Sequence, residues 1–384
     1  MRTVTLSVVC WLLTLSTIIL RSVGEANSST DLPSVPTVRV AADTIWIVVG
    51  GQRFPASLKQ LRSPDTTGFG TTDAITVIGT NDTLVVKLGS EPFEFLILWR
   101  SDTIHEVFLP RWSTDEASFP ARAALLRRHH QFGSTVPPGL PAFTYESPSD
   151  STLALVRREF ALDSIAGAGD DIARALRLMH WLHENARWDG SKDNPKTANS
   201  RDMLVACTRE GKTANCGGMA GMLTTLLLAE GFKARQLICR PYDTADQECH
   251  SVNIVYSSAR NKWVLIDPTH DACFQDTARN YLSPMELRQT MANGDSIVVP
   301  AGINLNGVSE NRMSYLGYLA KNLFRFSCWQ EIPGKNQSGR PKYAQIFLNP
   351  VDYQADLVGT IDSSVSWYTG MFTDDSSVFW IKPQ

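Results

Sequence analysis

The stretch TANCGGMAGMLTTLLLAEGFKAR, residues 213–235, decides how the central part of this chain folds. A polar loop leads into Cys216, small residues follow, and an apolar run then continues almost to Gly231. The apolar residues recur at three- and four-residue spacing, which predicts a helix. They also fill many of the remaining positions, so the helix should be buried on most sides. Gly231 suits the left-handed residue that ends a helix.

This pattern places Cys216 at the N-terminus of the predicted helix. Unpaired backbone N–H groups and the positive end of the helix dipole lie there, and both favour the thiolate over the thiol. Gly217 and the small residues after it leave room for a substrate or a second backbone segment to approach closely. The alternative is a structural cysteine that packs as a small apolar group in a glycine-rich helix seam.

Two extended segments downstream carry a histidine and a carboxylate. Residues 250–256 alternate in polarity, residues 257–260 have the composition of a turn, and residues 261–267 form a second predicted strand. With a four-residue loop at 257–260, His250 lies directly opposite Asp267, with Cβ atoms about 4.5–5.5 Å apart. A carboxylate there orients the imidazole, which can take the proton of a thiol. A register shift of one residue would separate the two side chains.

The order Cys, His, Asp, with Cys-Gly on a buried helix, resembles the transglutaminase-like superfamily of papain-type folds. The similarity extends over residues 150–300 and includes several flanking motifs. These are Trp188 and Asp202-Met203-Leu204 before the cysteine, Gly-Phe-Lys-Ala-Arg at 231–235, and Trp-Val-Leu-Ile-Asp-Pro-Thr at 263–269.

The resemblance implies a role for each residue of this set. Cys216 would be the nucleophile, His250 the base and then the acid, and Asp267 the residue that orients the imidazole. In the family the loop before the nucleophile borders the cleft, so Trp188 is a candidate wall of the substrate groove, with a plain core aromatic as the alternative. Ser251 follows His250 where the family more usually has an aromatic residue, which leaves the substrate type open.

The expected fold class is α+β, with a papain/transglutaminase-like core in which a central helix carrying the cysteine packs against an antiparallel sheet. Many short β-rich runs at close spacing predict an N-terminal β-sandwich-like domain before it. The predicted organisation is a signal peptide at 1–26, a linker at 27–36, the N-terminal β-rich domain at 37–149, the catalytic core at 150–300 and an α/β extension that packs on the core at 301–384.

The N-terminal segment has the pattern of an export signal. A short basic start precedes the mostly apolar residues 4–20, and Gly24-Glu25-Ala26 offers a small-x-small cleavage site. The pattern predicts a secreted or periplasmic protein, and an uncleaved membrane anchor is the alternative, because the apolar run borders on a spanning length. In an exported protein Cys249 and Cys273 could form a bridge, and buried free thiols are the other interpretation.

Composition and spacing limit the partners. The formal net charge of −3 gives no case for nucleic acid. Residues 249–250 and 270–273 contain metal-ligand types without a Cys-x-x-Cys pair, and His180 and His183 do not have the order of a zinc peptidase. Neither a metal nor another cofactor is therefore expected. The expected partner is a peptide or protein substrate, cell-wall peptides included.

The chemistry that these residues predict is acyl transfer through a thioester. Hydrolysis of a peptide or amide bond is the first expectation, with the Cys216 N–H helping to bind the oxyanion. The first alternative is a protein-glutamine amine transferase that forms isopeptide cross-links. The second is an inactive binding module of the same fold.

Overall fold

The structure is a computed structural model. It describes residues 115–242, 248–300, 302–332, 343–351, 353 and 368–384 and, N-terminal to these, the backbone of a set of strands. The chain divides into two compact units, Met1–Ala121 and Arg122–Gln384. Residues 122–149, which the sequence analysis assigned to the N-terminal domain, therefore lie in the second unit.

The first unit is rich in β-structure, as its short apolar runs predict. Its described strands are β1 (Arg2–Leu6), β2 (Thr37–Val40), β3 (Ile45–Val49), β4 (Gln52–Ala56), β5 (Ala74–Ile78), β6 (Asp82–Lys87), β7 (Phe93–Trp99) and β8 (Asp102–Phe108). They form a five-stranded sheet in the order β1-β6-β5-β3-β4 and a three-stranded sheet in the order β2-β7-β8. The sandwich-like arrangement stays a prediction. Apart from β1, the predicted signal peptide and linker lie outside the described residues.

The described helices follow the strands of the first unit along the chain. They are α1 (Asp115–Arg128), α2 (Ser151–Glu159), α3 (Leu162–Ala166), α4 (Asp171–Asn185), α5 (Ser200–Thr208), α6 (Cys216–Ala229), α7 (Pro284–Asn293), α8 (Arg312–Asn322) and α9 (Ser376–Phe379). Among the described residues, no helix has the length and apolar character needed to cross a membrane.

The second unit also contains a series of strands. They are β9 (Thr144–Tyr145), β10 (Arg187–Trp188), β11 (Thr213–Ala214), β12 (Ala234–Arg240), β13 (His250–Ser257), β14 (Lys262–Asp267), β15 (Ala272–Cys273), β16 (Asn304–Leu305), β17 (Val308–Ser309), β18 (Arg325–Trp329), β19 (Glu331–Ile332), β20 (Tyr343–Leu348) and β21 (Tyr368–Thr373).

A seven-stranded sheet organises this unit, in the order β15-β14-β13-β12-β18-β20-β21. Neighbouring strands are antiparallel except for the last pair, β20 and β21. Helix α6 packs on β12 and β13, and buried apolar residues of α2, α4, α5 and α6 form one core with β13 and β14. The central helix against a mostly antiparallel sheet is the α+β core that the sequence predicts.

Helix α6 begins and ends where its sequence indicates. Cys216 is its first residue, and the Asn215 side chain caps it by accepting a hydrogen bond from the Gly218 N–H at 3.1 Å. Gly231 follows the helix with a φ of 88°, a left-handed conformation that glycine adopts without strain. Residues 222–229 are all buried, so the prediction of a helix covered on most sides is confirmed.

The register of β13 and β14 differs from the prediction by two residues. Ile254 lies opposite Leu265 and Tyr256 opposite Trp263, because the loop runs from 258 to 261 and Asn261 takes a left-handed conformation with φ 51°. A shift of two residues keeps every side chain on its predicted face. His250 and Asp267 therefore stay on one face, as diagonal neighbours instead of directly opposed residues.

Both faces of β13 are covered, including the face that carries Ser251 and Asn253. All eight of its residues are buried. The polar side chain of Asn253 faces α6, where its Nδ2 donates to the Ala220 carbonyl at 3.0 Å and to the Thr224 hydroxyl at 2.8 Å. Polar residues thus remain possible on this face because the neighbouring helix offers acceptors.

The C-terminal region completes the sheet through β18, β20 and β21. The composition of residues 378–381 predicts a late strand, and this prediction is wrong, because residues 376–379 form α9. Asp375 caps this helix by accepting a hydrogen bond from the Ser377 N–H at 2.8 Å. The segment after the helix is held by side chains of the sheet, because Arg235 donates to the Phe379 carbonyl at 2.7 Å and Trp263 to the Trp380 carbonyl at 3.0 Å.

The proline content of residues 113–149 predicts an irregular segment, and this prediction is wrong for residues 115–128, which form α1. The prolines that motivated the expectation, Pro137, Pro138 and Pro141, all lie after the helix has ended. Pro120 lies inside α1. An apolar stripe predicts a helix over residues 170–187, and the structure has it as α4. Ser283, with Pro284 and Glu286 after it, predicts a capped helix start, and the structure has this helix as α7.

A change of Ser283 to Ala should lower the free energy of unfolding by about 1 kcal/mol, because it removes the cap of α7. The Ser283 hydroxyl accepts from the Glu286 N–H at 3.2 Å, and Glu286 accepts from the Ser283 N–H at 2.8 Å. Urea unfolding measures the difference. Ser258→Ala, in the exposed turn after β13, is the control and should change the unfolding free energy far less. Equal effects from both changes would contradict this account of the cap.

Candidate active site

The position of Cys216 is fixed by two asparagines. Asn215 caps the helix that Cys216 begins, and Asn194 forms two hydrogen bonds with Asn215. The Asn194 Oδ1 accepts from the Asn215 N–H at 2.9 Å, and its Nδ2 donates to the Asn215 Oδ1 at 3.0 Å. The polar loop before the nucleophile is therefore a support for the helix start. Asn194 could not be identified from the sequence, because nothing in a polar loop distinguishes it from its neighbours.

His250 and Asp267 form a buried pair. The His250 Nε2 donates to the Asp267 Oδ2 at 2.6 Å, and the two side chains are 1% and 0% exposed. The same carboxylate oxygen accepts from the Tyr315 hydroxyl at 2.7 Å, and the Oδ1 accepts from the Thr269 N–H at 2.9 Å. Both oxygens are thus hydrogen-bonded, which is the condition for a buried carboxylate to stay ionised.

The Cys216 thiol lies next to this pair. It is partly exposed, its sulfur is 4.0 Å from the Cys249 carbonyl oxygen, and the His250 imidazole is close enough to lower its pKa. Because Asp267 holds the Nε2, the Nδ1 is the ring nitrogen left for the sulfur. The structure therefore brings together Cys216, His250 and Asp267, in the order sulfur, ring, carboxylate.

The electrostatics of the cluster favour a thiolate beside an imidazolium. Burial by itself would raise the pKa of Cys216, but the hydrogen bond and charge of His250 outweigh it and lower that pKa below its ordinary value. Burial opposes charge on His250 too, yet the charge of Asp267 and its hydrogen bond raise the pKa of His250 to about 10. The pKa of Asp267 is far below its ordinary value in spite of burial, since His250 is its main counter-charge.

Further residues surround the carboxylate. His270 packs on Tyr315 with 4.4 Å between ring centroids, and its Nδ1 pairs with Glu310. Ligand atoms of His250, Asp267 and His270 lie within 4.8 Å of one another. The Asp267 oxygen in this group already accepts from His250 and Tyr315. The hydrogen bonds of Asp267 and His270 therefore explain why His250, Asp267 and His270 lie so close together.

Two tyrosines of α8 border the histidine. Tyr315 donates to Asp267, and Tyr318 packs its ring edge against His250 with 5.2 Å between centroids. The sequence predicts the helix, but α8 lies beyond the region that resembles the family, so no motif singled these residues out. Their three-residue spacing, which puts both on one helix face, is the available signal.

The two residues predicted to bind substrate lie near the nucleophile. Trp188 pairs with Ala214 through β10 and β11, packs against the core and is partly buried. Its indole Nε1 is buried without a hydrogen-bond partner among the described residues. Gly217 is also partly buried, and its carbonyl accepts from Gln236 at 3.2 Å. Substrate contact by either residue stays a prediction.

The other described cysteines are free thiols, and His180 and His183 form hydrogen bonds away from Cys216. Every described cysteine is free, so the structure has no bridge between Cys249 and Cys273, and Cys10 lies outside the described residues. His183 is buried, and its Nδ1 donates to the Pro268 carbonyl at 3.0 Å, directly after Asp267. His180 is largely exposed and pairs with Asp271 at 2.7 Å.

Residues 158–268 match a family model described as the transglutaminase-like superfamily. Less than a third of the chain is matched, and this segment is transglutaminase-like. The matched segment runs from α2 to the end of β14 and so contains Cys216, His250 and Asp267. Members of the superfamily are in general cysteine enzymes.

Comparison with whole proteins adds little beyond this match. No curated protein matches this chain. A solved structure described as a crystal structure of a TGase is similar to it at 11% sequence identity and a TM-score of 0.23, over 62% of this chain and 74% of the other.

Gly218 should not tolerate a side chain, because its neighbours leave no room. A Cβ at this position would lie 2.3 Å from the Asn194 Oδ1 and 2.9 Å from the Ala214 Cβ. Gly218→Ala should therefore destabilise the fold by roughly 1–3 kcal/mol and shift the start of α6. The unfolding free energy and the alkylation rate of Cys216 measure the two effects.

Gly221→Ala is the matched control for this change. It lies in the same helix, and the nearest atom to its added Cβ is the Gln236 Oε1 at 3.8 Å. Alanine there should leave stability unchanged or raise it by up to about 1 kcal/mol, because alanine favours helix over glycine. Equal destabilisation by both alanines would contradict the close contact at Gly218.

Alkylation of Cys216 by iodoacetamide should follow a pKa below the ordinary thiol value of ~8.5. The sign follows from the pair: the thiolate persists at lower pH because the imidazolium stabilises it, and this lasts until His250 loses its proton at about 10. In His250→Gln the burial of the thiol is unopposed, so the alkylation pKa should move above its ordinary value. The rate of labelling against pH measures both.

The Cys216→Ala protein gives the background labelling for this experiment. Among the cysteines that the structure describes, the other partly exposed thiol is Cys249, and burial raises its pKa above the ordinary value. A wild-type profile that coincides with that of His250→Gln would rule out the ion pair.

Proposed function

We propose that the chain is an exported cysteine acyl-transfer enzyme that hydrolyses a peptide or amide bond. The observation that carries the proposal is the cluster in which a partly exposed thiol at a helix N-terminus meets a buried imidazole held by a fully hydrogen-bonded carboxylate. The match to a superfamily of cysteine enzymes supports the same chemistry.

In the first half-reaction the Cys216 thiolate attacks the carbonyl carbon of the substrate, and a C–S bond forms. The carbonyl oxygen becomes an oxyanion, for which the backbone N–H of Cys216 at the helix N-terminus is a donor. The His250 imidazolium gives its proton to the leaving amine, and the C–N bond breaks. A thioester and a neutral His250 remain, with Asp267 holding the ring in place.

In the second half-reaction an acyl acceptor replaces the leaving amine. Neutral His250 takes a proton from water, the water oxygen attacks the thioester carbon, and the acid leaves as the C–S bond breaks. The products are a carboxylic acid, the Cys216 thiolate and the His250 imidazolium, which is the starting pair. A primary amine in place of water would give an isopeptide instead, so the same three residues serve both reactions.

We propose hydrolysis ahead of amine transfer, and the N-terminal signal pattern supports action outside the cytoplasm. The peptide or protein substrate could then include cell-wall peptides. Trp188 and Gly217 are proposed to line the groove, because Trp188 pairs with Ala214, Gly217 directly follows Cys216, and both are partly buried. A binding module that keeps the fold without activity has less support, because all three reactive residue types lie together.

Incubation with a glutamine peptide, with and without methylamine, tests the proposal. The expected result is release of ammonia and a glutamate peptide, with little amine adduct, and loss of both products by several orders of magnitude in Cys216→Ala. Cys207→Ala, which removes a buried thiol of α5, is the control and should keep the activity. An amine adduct that forms faster than deamidation would overturn hydrolysis in favour of transfer.

A further inference from the structure

Tyr318 is a polar residue beside the cluster that the proposed mechanism does not use. It comes from α8, and its ring packs on His250 with 5.2 Å between centroids and 63° between planes. The residue is partly exposed, unlike its neighbour Tyr315, which is buried and bonded to Asp267. Among the residues that the structure describes, the Tyr318 hydroxyl has no hydrogen-bond partner.

The hydroxyl stays protonated in this environment. Burial first, and then the charge of Cys216, raise the pKa of Tyr318 far above its ordinary value. Cys216 is the first of the charged groups that act on Tyr318, ahead of Glu248 and Asp267. The phenol is therefore a neutral hydrogen-bonding group whose ring lies beside the imidazole.

The side of the cluster on which Tyr318 lies indicates what it can bind. His250 delivers a proton to the leaving amine and later takes one from the acyl acceptor, so both of these groups occupy the space beside the imidazole. The ring of Tyr318 packs against the same imidazole, and its hydroxyl is the polar group that this ring offers to a small molecule held there. Tyr318 lies in α8, outside the segment that matches the family model.

We infer that the Tyr318 hydroxyl is a catalytic group of the second half-reaction, where it binds the attacking water beside His250. This inference rests on the proposed function. Water gives one hydrogen bond to the His250 Nδ1 and the other to the phenol oxygen, which fixes its lone pair toward the thioester carbon. As the new C–O bond forms and the C–S bond breaks, one water proton moves to the Nδ1 and the electron pair returns to the sulfur.

The consequence is that Tyr318 acts on deacylation and little on acylation. The test uses p-nitrophenyl acetate, an activated ester, since release of nitrophenolate separates the two steps: a burst reports acylation of Cys216, and the steady state reports hydrolysis of the thioester. Tyr318→Phe keeps the ring on His250 and removes only the hydroxyl.

The expected result is a burst whose rate stays within about twofold of wild type and a steady state about tenfold slower, as loss of one hydrogen bond predicts. Tyr318→His, which restores a hydrogen-bonding group on a flat ring, should recover part of the steady-state rate. Tyr281→Phe, a partly buried tyrosine outside the cluster, is the control and should match wild type in both phases.

Two negative results have different meanings. A wild-type burst followed by an unchanged steady state in Tyr318→Phe would overturn the role of Tyr318 and leave the proposed function intact. A wild-type protein with no burst that depends on Cys216 would overturn the proposed function together with this inference. An equal fall of both phases would assign Tyr318 to the support of His250 and would also overturn its role in binding water.

Discussion

The hydrogen bond between His250 and Asp267 is the interaction on which the rest of the site depends. Both side chains are buried, and in such a pair the loss of one partner leaves an uncompensated charge that costs about 3–5 kcal/mol. The Tyr315 hydroxyl and the Thr269 N–H donate the other hydrogen bonds to the Asp267 carboxylate. His183 donates to the carbonyl of the next residue, Pro268. The fold thus keeps Asp267 ionised, and Asp267 keeps the imidazole ready to carry a charge.

The thiolate needs two contributions from different parts of the chain. The helix start contributes backbone N–H groups, which the Asn194 and Asn215 side chains hold in place. The sheet contributes the imidazole, from the strand on which the helix packs. Small residues after Cys216 allow this close approach, and Gly218 in particular has no space for a Cβ. The site is therefore a contact between one helix end and one strand end.

The central helix and the relation between histidine and carboxylate could be predicted from the sequence. Hydrophobic spacing and Gly231 define α6, and the period of two along a strand puts His250 and Asp267 on one face. The exact partner could not be predicted, because the loop at 258–261 shifts the register by two residues. The prediction that His250 and Asp267 share one face of the sheet is still correct, because a strand repeats its side-chain direction every second residue.

Other parts of the site depend on contacts that are distant in sequence. Tyr315 and Tyr318 reach the cluster from α8, 48 residues beyond Asp267 in the case of Tyr315. Asn194 lies in a polar loop, and only its hydrogen bonds to Asn215 in the structure identify it as a support of the helix start. The structure of residues 376–381 could not be predicted either. Side chains of Arg235 and Trp263 donate hydrogen bonds to the carbonyls of residues 379 and 380, where the prediction had a paired strand.

The charge state of His250 tests the central claim most directly. Nitrogen-15 NMR of the ring, assigned by comparison with His250→Gln, reads the protonation of both nitrogens. The ion pair predicts an imidazolium at neutral pH that loses its proton at about 10. A neutral ring that titrates near the ordinary value of ~6.5 would contradict the account.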